Sequence, residues 1–169
     1  CHFLGKKNYD FHTSAKDSWL MAFFTFGEGF HNYHHKFQWD YRNGIKWYNF
    51  DPGKWIIKIL SFFKVTYSLK EASNYNIIKA RVDTLNEKIK SISENVNFTE
   101  VYKKQAKVIT ENITKNLDLW KKIEMKYNLS KNTKLEKDIY KQKVKLYKVE
   151  IQNSLTTLMV IFINMKNLM

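Results

Sequence analysis

The second half of the chain carries apolar residues at the spacing of a helix. Three stripes recur every three or four positions, which is the period of one helix face, and lysine-rich faces separate them. The stripes are Val82, Leu85, Ile89, Ile92 and Val96; then Ile109, Ile113, Leu117, Trp120 and Ile123 or Tyr127; then Leu135, Ile139, Leu146 and Val149. We expect three helices that bury these positions in a core or a seam, with breaks at residues 95–97 and 128–133.

The first half of the chain predicts shorter helices. An apolar run at 19–26 follows Asp17 and Ser18, and either side chain is suited to cap a helix. The stretch 27–29 contains two glycines, which interrupt that helix or bend it. A second helical turn is expected at 31–35.

A further helix is expected to begin at Asp51 and Pro52, because a carboxylate at the N-cap and proline at the first helical position both favour a helix start. One side of this segment is polar, with Lys54, Lys58 and Ser61. The other side is apolar and carries Trp55, Ile56, Ile59, Leu60 and Phe63. Two interpretations stay open: the apolar face lies in a membrane interface, or it packs onto its own domain.

The composition changes near residue 70. All five glycines, the only proline, all five histidines and four of the five tryptophans lie before that point. We therefore expect an all-α chain in two parts, 1–70 and a lysine-rich helical tail at 71–169, arranged as a hairpin or a coiled coil. The most apolar early segments, 19–26 and 55–63, are far shorter than the roughly 20 residues of a membrane-spanning helix.

The formal net charge is +13, and both parts are basic: residues 1–70 hold ten Lys or Arg and five Asp or Glu, and residues 71–169 hold nineteen and eleven. Such a surface attracts anionic partners such as lipid headgroups, nucleic acid or acyl-carrier phosphates. The alternative is a solvated helical surface in a protein from an AT-rich genome. Nucleic acid is disfavoured, because the tail has one arginine, no RNA-binding motif and no aromatic platform.

A single cysteine, Cys1, excludes an internal disulfide and fits a reducing compartment. The chain begins with this cysteine rather than with methionine, and no signal-peptide pattern follows it. We therefore expect the sequence to start inside a longer protein.

Three of the five histidines, His31, His34 and His35, stand at relative positions i, i+3 and i+4. On a helix, the Cβ atoms at these positions are roughly 5–6 Å apart. Imidazole-only sites suit Zn, Fe, Cu or Ni. His31 and His35 are suited to bind one ion together. His34 is offset from His35 by about 100° around the helix axis, so it is suited to bind a second ion. Other segments must complete this two-metal site; His2 is a candidate, whereas we interpret His12 as a surface-loop histidine.

The residues around these histidines form a longer motif. It comprises Phe-Gly-Glu-Gly-Phe-His-Asn-Tyr-His-His at 26–35, then Phe37, Asp40-Tyr41-Arg42, Trp47, Asp51-Pro52 and Lys54-Trp55. The motif resembles the third histidine box of the membrane fatty acid desaturases of the acyl-CoA or acyl-lipid delta-9 type. Residues 2–9 and 69–81 are similar to the flanking segments of that family, although less closely.

The resemblance implies a membrane-bound, non-haem di-iron enzyme, with its histidine ligands on a cytosolic cap over several transmembrane helices. Such an enzyme uses O2 and two electrons, from cytochrome b5 or ferredoxin, to place a cis double bond in a fatty acyl-CoA or an acyl lipid. His31, His34 and His35 are then iron ligands, and His2 matches the isolated histidine ligand that precedes the box. The family's asparagine that holds a metal-bound water would fall before Cys1.

The sequence also departs from the family. Gln38 and Asn8 stand where prolines are usual, and the first two histidine boxes and the transmembrane helices have no counterpart here. Four ligands do not hold two irons in the geometry that O2 activation needs. We therefore predict that this chain is the C-terminal part of an enzyme and is inactive alone. The alternative is a basic helical module that binds a membrane or a partner, with a vestigial histidine segment.

Three more side chains near the box are site candidates. Glu28 lies one turn before His31 and is expected to orient that imidazole by a hydrogen bond, with a capping or solvent-exposed position as the alternative. Arg42 and Lys46 are expected to meet substrate phosphates, since arginine in particular makes bidentate phosphate contacts. The run 40–42 is otherwise expected to be structural or to face lipid headgroups.

Overall fold

The computed structural model describes residues 2–93, 100–129 and 134–167. Within these ranges the secondary structure is helical: α1 (Trp19–Phe24), α2 (His31–Lys36), α3 (Pro52–Phe62), α4 (Asn74–Ser93), α5 (Glu100–Leu129) and α6 (Lys134–Asn167). No strand occurs in the described residues, although Asp17 makes isolated β-bridges with Lys6 and Phe30. The predicted all-α class is confirmed. None of the helices in these ranges has the length and apolarity that crossing a membrane requires.

The chain divides into two compact units, Cys1–Thr84 and Leu85–Met169. The structural division falls beyond the compositional change near residue 70. The reason is that the first half of α4 belongs to the first unit: its Ile77 and Ala80 join the buried cluster around Tyr33 and Phe37. The assignment of 1–70 to a catalytic domain and of 71–169 to a tail stays a prediction.

Ser18 caps α1, and its hydroxyl accepts a hydrogen bond from the Met21 amide at 3.3 Å. The helix ends at Phe24, two residues earlier than the apolar run predicts. The chain then turns back closely on α1 at Gly29, where a Cβ atom would lie 2.0 Å from the Ala22 amide nitrogen. Glycine is required there, because any side chain would collide with backbone.

Asp17 caps α2 although it lies 16 residues before Tyr33 in the sequence. Its Oδ1 accepts a hydrogen bond from the Tyr33 amide at 3.0 Å, and its Oδ2 accepts one from the Asn8 side chain at 3.4 Å. Tyr33 is the third residue of α2, so this carboxyl satisfies one of the amides that a helix start leaves without a partner. Burial raises the pKa of Asp17 to about 6, although the hydrogen bonds from Tyr33 and Asn8 act in the opposite direction.

A second buried carboxylate, Asp40, fixes the end of α2 to the segment before α4. It accepts hydrogen bonds from the Tyr33 hydroxyl and, at 2.7 Å, from the Ala72 amide. The Arg42 guanidinium forms a two-pronged ion pair with it, with nitrogen–oxygen distances of 3.0 and 2.8 Å. Burial alone would raise the pKa of Asp40, but the hydrogen bonds from Arg42, Tyr33 and the backbone outweigh it and lower that pKa.

The predicted start of α3 is confirmed. Asp51 accepts a hydrogen bond from the Lys54 amide at 3.0 Å, and its other oxygen accepts from the amides of Asn43 and Gly44 at 2.7 and 2.9 Å. Lys54 is only 5 % exposed. Its ammonium donates to the carbonyls of Gly44, Lys46 and Asn49, at 2.7, 2.9 and 3.3 Å. These two buried side chains hold the loop between α2 and α3 in place.

Most of the apolar face of α3 is exposed, although Trp55 contacts the Phe50 ring and Leu60 is half-buried. Phe62 and Phe63 are 83 % and 67 % exposed, and Trp55, Ile56 and Ile59 are also exposed. Exposed aromatic residues on α1 add to this surface, among them Trp19, Phe23 and Phe24. An apolar patch of this kind marks an interaction surface in folded proteins.

In the second unit, α5 and α6 pack side by side in opposite directions. Tyr127 near the end of α5 stacks on Tyr140 near the start of α6, with ring centroids 4.0 Å apart. Further along, the Lys148 ammonium lies 5.1 Å from the Trp120 ring. Of the two forms expected for the tail, the structure therefore has the helical hairpin.

The first two predicted stripes are confirmed at most of the described positions, whereas Ile109, Ile123 and Tyr127 are only half-buried. Buried positions include Val82, Leu85, Ile89 and Ile92 in α4, and Ile113, Leu117 and Trp120 in α5. Val96 and the expected break at 95–97 lie outside the described residues. The other expected break was at 128–133. Its first two residues are helical, because α5 runs to Leu129, and its other residues lie outside the described ranges.

The prediction for the third stripe was wrong, because a different face of α6 is buried. Leu135, Ile139, Leu146 and Val149 are exposed. The buried side chains of α6 are instead Ile151, Leu155, Leu158, Ile161 and Met165. Upstream of them, Tyr140 continues the same face toward α5. The buried face is the one that stays apolar through the end of the helix, where the chain is richest in apolar residues.

Replacing Lys54 with Met is expected to destabilise the first unit by about 2–4 kcal/mol, because three loop carbonyls lose a charged donor in a buried place. Urea unfolding of the 169-residue chain, followed by tryptophan fluorescence, measures the loss. Lys58→Met, at an exposed position of the same helix, is the matched control and should change stability by less than about 0.5 kcal/mol. Equal effects of the two variants would contradict the role given to Lys54.

The pH dependence of stability should report the burial of the Asp17 carboxyl group. Because the pKa of Asp17 is about 6 in the folded chain, against an ordinary value of 3.8, the proton is held more tightly after folding. Its stabilising contribution is complete at about pH 4 and is lost as the pH rises through about 6. Relative to Asp17→Asn, the wild-type free energy of unfolding should therefore fall between about pH 4 and about pH 7. Parallel pH profiles for the two chains would exclude this effect.

Candidate metal centre

Two histidine rings meet on the exposed side of α2. The Nε2 atoms of His31 and His35 are 3.1 Å apart, and their ring centroids are 4.5 Å apart at an interplanar angle of 84°. Two nitrogens bound to one metal ion at about 2.1 Å stand roughly 3.0–3.4 Å from each other. The separation of this pair therefore fits two ligands of a single ion.

The other histidines lie at different distances from this pair. The ring of His34 is 6.3 Å from His31 and 6.2 Å from His35. The ring of His2 approaches His31 edge-on at 5.2 Å, and its Nδ1 lies 2.9 Å from the Ser14 hydroxyl. His12 is exposed and packs against Phe11, as expected of a surface-loop histidine.

The environment of His31 favours the neutral ring. Burial lowers the pKa of His31 most, and His35 and His2 lower it further, whereas Glu28 acts in the opposite direction. Neutral imidazole is the form that binds metal ions. The Nδ1 atoms of His31 and His34 are buried and have no hydrogen-bond partner among the described residues.

The histidines fit the iron centre that the resemblance implies in their donor atoms, but they do not complete it. The donor chemistry suits it, because all four candidate ligands carry imidazole nitrogens, and the His31–His35 pair has the right separation. The set is not complete: no group of three or more His, Cys, Asp or Glu side chains in the described part of the chain is arranged to hold a metal ion. The described residues thus supply part of a coordination sphere.

Asn32 brings the histidine-bearing segments together. Its side-chain oxygen accepts hydrogen bonds from the amides of Asn8, Tyr9 and Asp10, at 2.8, 2.7 and 3.2 Å. Its side-chain nitrogen donates to the carbonyls of Asp10 and Ala15, at 2.8 and 3.1 Å. The loop that follows His2 is thereby fixed to the helix of the other histidines.

The sequence reasoning missed Asn32 and misplaced the role of Asp17. One signal was present: Asn32 lies about 100° around α2 from His31 and directly before Tyr33, and a polar residue that is buried there must find partners. For Asp17 the signal was ambiguous, since the sequence offers two adjacent capping residues and two helices that need a cap.

Glu28 does not contact His31 by a hydrogen bond in this structure. It is exposed, and its carboxylate accepts a hydrogen bond from the Asn43 side chain at 3.3 Å. This geometry matches the alternative interpretation, a solvent-exposed residue at the glycine bend. The orienting role of Glu28 stays a prediction without support from the contacts observed here.

The Arg42 guanidinium is paired with two carboxylates. Besides its two bonds to Asp40, its remaining terminal nitrogen lies 3.0 Å from Glu71. Lys46 is different, because it is exposed and its ammonium lies 5.4 Å from the Tyr48 ring. Of the two residues expected to meet phosphates, Lys46 is the one that the structure leaves accessible.

The comparisons with known proteins point to one family. No protein-family model matches the chain, and no solved structure matches it. The chain is 40 % identical over 100 residues to acyl-CoA desaturase 1 of Saccharomyces cerevisiae, a match covering 59 % of this chain and 20 % of the relative. It is 43 % identical over 81 residues to a probable acyl-CoA desaturase of Schizosaccharomyces pombe, covering 48 % and 17 %.

A third relative is the human stearoyl-CoA desaturase 5, which is 38 % identical over 80 residues, 47 % of this chain and 24 % of the relative. The chain thus spans about a fifth of the length of the curated relatives it matches. Roughly half of this chain is therefore homologous to a segment of the acyl-CoA desaturases, the family that its histidine motif resembles.

Proposed function

We propose that this chain carries the third histidine box of a membrane-bound fatty acyl desaturase. The complete enzyme then introduces a cis double bond, of the delta-9 type, into a saturated acyl chain. The observation that carries this proposal is the 3.1 Å approach of the His31 and His35 Nε2 atoms inside a motif typical of that family. The homology to acyl-CoA desaturases supports it.

We propose iron as the metal, with His31 and His35 on one ion, His34 on a second ion and His2 as a further ligand. When bound, the iron centre supplies the oxidation by O2, with electrons from cytochrome b5 or ferredoxin, that removes two hydrogens from the acyl chain. The chain's own residues hold the ligands for it. Asn32 fixes the loop after His2, Asp17 caps the helix of the histidines, and burial lowers the pKa of His31, which favours its neutral ring.

The isolated chain is proposed to be inactive. Its five histidines include four candidate ligands, which are too few for two irons with the geometry that O2 activation needs. The remaining ligands and the acyl tunnel must come from other segments of the complete enzyme.

The substrate is proposed to be a fatty acyl-CoA or an acyl lipid. A cavity of about 360 Å³ in the first unit is lined by Tyr9, Asp17, Lys46 and Arg81, among others. Lys46 and Arg81 give this cavity two cations, which suits a phosphate-bearing group. We therefore assign the phosphate contact to Lys46 rather than to Arg42, which is held by Asp40 and Glu71.

The exposed apolar face of α3 supports contact with a membrane, and the family resemblance implies the cytoplasmic side. Its aromatic residues, together with the lysines of a chain of net charge +13, are the combination that interfacial helices use on anionic lipid. The same observation also favours the second candidate function, a basic module that binds a membrane and retains only a vestigial histidine segment. Metal content and activity separate the two.

Replacing His31 or His35 with Ala in the complete gene product is expected to remove most of its iron, because each change deletes one nitrogen of the paired ligands. Elemental analysis of the purified wild-type protein should give about two irons per chain, as two-metal sites do. His12→Ala, at an exposed histidine of the same unit, is the control and should keep its iron.

The same variants should be expressed in a host whose own acyl-CoA desaturase is deleted. Wild type and His12→Ala should restore unsaturated fatty acids with a double bond of the delta-9 type, and His31→Ala and His35→Ala should not. The 169-residue chain alone should give no product. Wild-type protein that is folded but free of iron, with no unsaturated product, would favour the membrane-binding module instead.

Replacing both Phe62 and Phe63 with Ser should weaken binding of the chain to phosphatidylcholine–phosphatidylserine vesicles by about tenfold or more, because both rings are exposed at the C-terminal end of α3 and suited to enter the interface. Vesicle co-sedimentation measures the partition. Phe3→Ser, at a phenylalanine that is 94 % exposed but lies outside α3, is the control. Equal losses in the two proteins would show that α3 has no special role in membrane contact.

A further inference from the structure

The outward face of α6 carries a second apolar stripe, which we name the outer stripe. Its apolar members are Leu135, Ile139, Leu146, Val149, Val160 and Ile163, and Gln142, Asn153 and Thr156 occupy the positions between them. The apolar members are between 44 % and 71 % exposed. No described segment of the second unit covers this stripe.

The spacing of the outer stripe is that of a coiled coil. Its nine positions alternate steps of four and three residues from Leu135 to Ile163, so they fill five successive d positions and the four a positions between them. The opposite face of the same helix is occupied by α5, through contacts such as Tyr140 with Tyr127. The helix therefore has a second side suited to a second helical partner.

The polar members of the stripe favour a partner in matched register. Asn153 takes an a position, where a single asparagine specifies a two-stranded, in-register pairing at some cost in stability, because it finds its best partner in the same residue of the other helix. Thr156 and Gln142 take d positions, where identical polar residues also face each other in such a pairing.

The charges beside the stripe complement each other across two parallel copies. In a parallel pair, each g residue faces the e residue about five positions further along the partner. Asp138 and Lys145 take g positions, and Lys143 and Glu150 take the e positions that they would face. Both of these pairings join opposite charges, and each occurs twice in a symmetric pair. A chain rich in lysine would otherwise repel its own copy.

We propose that the outer stripe joins two copies of this chain in a parallel, two-stranded coiled coil. The α6 helices lie in register, with Asn153 facing Asn153 of the second copy. In each copy, α5 stays packed on the other side of α6. The partner is thus a second copy of the same chain, and this assembly is independent of the metal centre.

The first test compares two valines of similar exposure. Val149 lies in the outer stripe and is 50 % exposed, whereas Val108 lies on α5 outside it and is 53 % exposed. Val149→Lys should raise the dimer dissociation constant of the 169-residue chain by at least about tenfold, because two charges enter the seam. Val108→Lys should leave it unchanged. Sedimentation equilibrium in one detergent gives both values, and circular dichroism verifies equal helix content.

The second test examines orientation and register. In a Cys1→Ser background, Val149→Cys should form an interchain disulfide on mild oxidation, and Lys141→Cys, on the side of α6 away from the stripe, should not. Lys145→Glu should weaken the dimer several-fold, and the double variant Lys145→Glu with Glu150→Lys should restore it. A monomeric wild-type chain, a dimer indifferent to Val149→Lys, or a Val149→Cys dimer that forms no disulfide would overturn the proposal.

Discussion

The first unit depends on one buried carboxamide. Asn32 is fully buried and uses both ends of its side chain, accepting from three amides and donating to two carbonyls of the preceding loop. A loop of this kind has no regular structure of its own to satisfy its backbone groups. Asn32 supplies these partners from α2, and so the loop after His2 and the helix of His31 keep a fixed relation.

Four other polar side chains of the unit also bind backbone groups of a loop or a helix end. They are Asp17, Asp40, Asp51 and Lys54. The large apolar residues of α1 and α3 point outward instead. The unit thus holds its shape by hydrogen bonds to buried polar side chains more than by a large apolar core. Such a network fails when one member is removed, because its partners are then buried without a substitute.

Sequence reasoning recovered the features that local chemistry fixes. The start of α3 at Asp51 and Pro52 and the shared face of His31 and His35 follow from residue types and spacing, and the structure contains both. The partners of Asn32, Asp40 and Lys54 could not be identified from the sequence, because they lie up to 32 residues away along the chain or in loops without a recognisable pattern. Which side chains complete the metal centre is equally non-local, and it stays a prediction.

The error on α6 has a different cause. The helix carries two stripes of nearly equal period on opposite faces, so periodicity alone does not select the one that meets α5. What separates them is continuity: the stripe that ends at Met165 is buried from Ile151 onward, whereas the other is interrupted by Gln142, Asn153 and Thr156. An intramolecular contact, formed at high effective concentration, takes the more apolar face. The interrupted face keeps the polar residues that specify register, which a contact within one chain does not need.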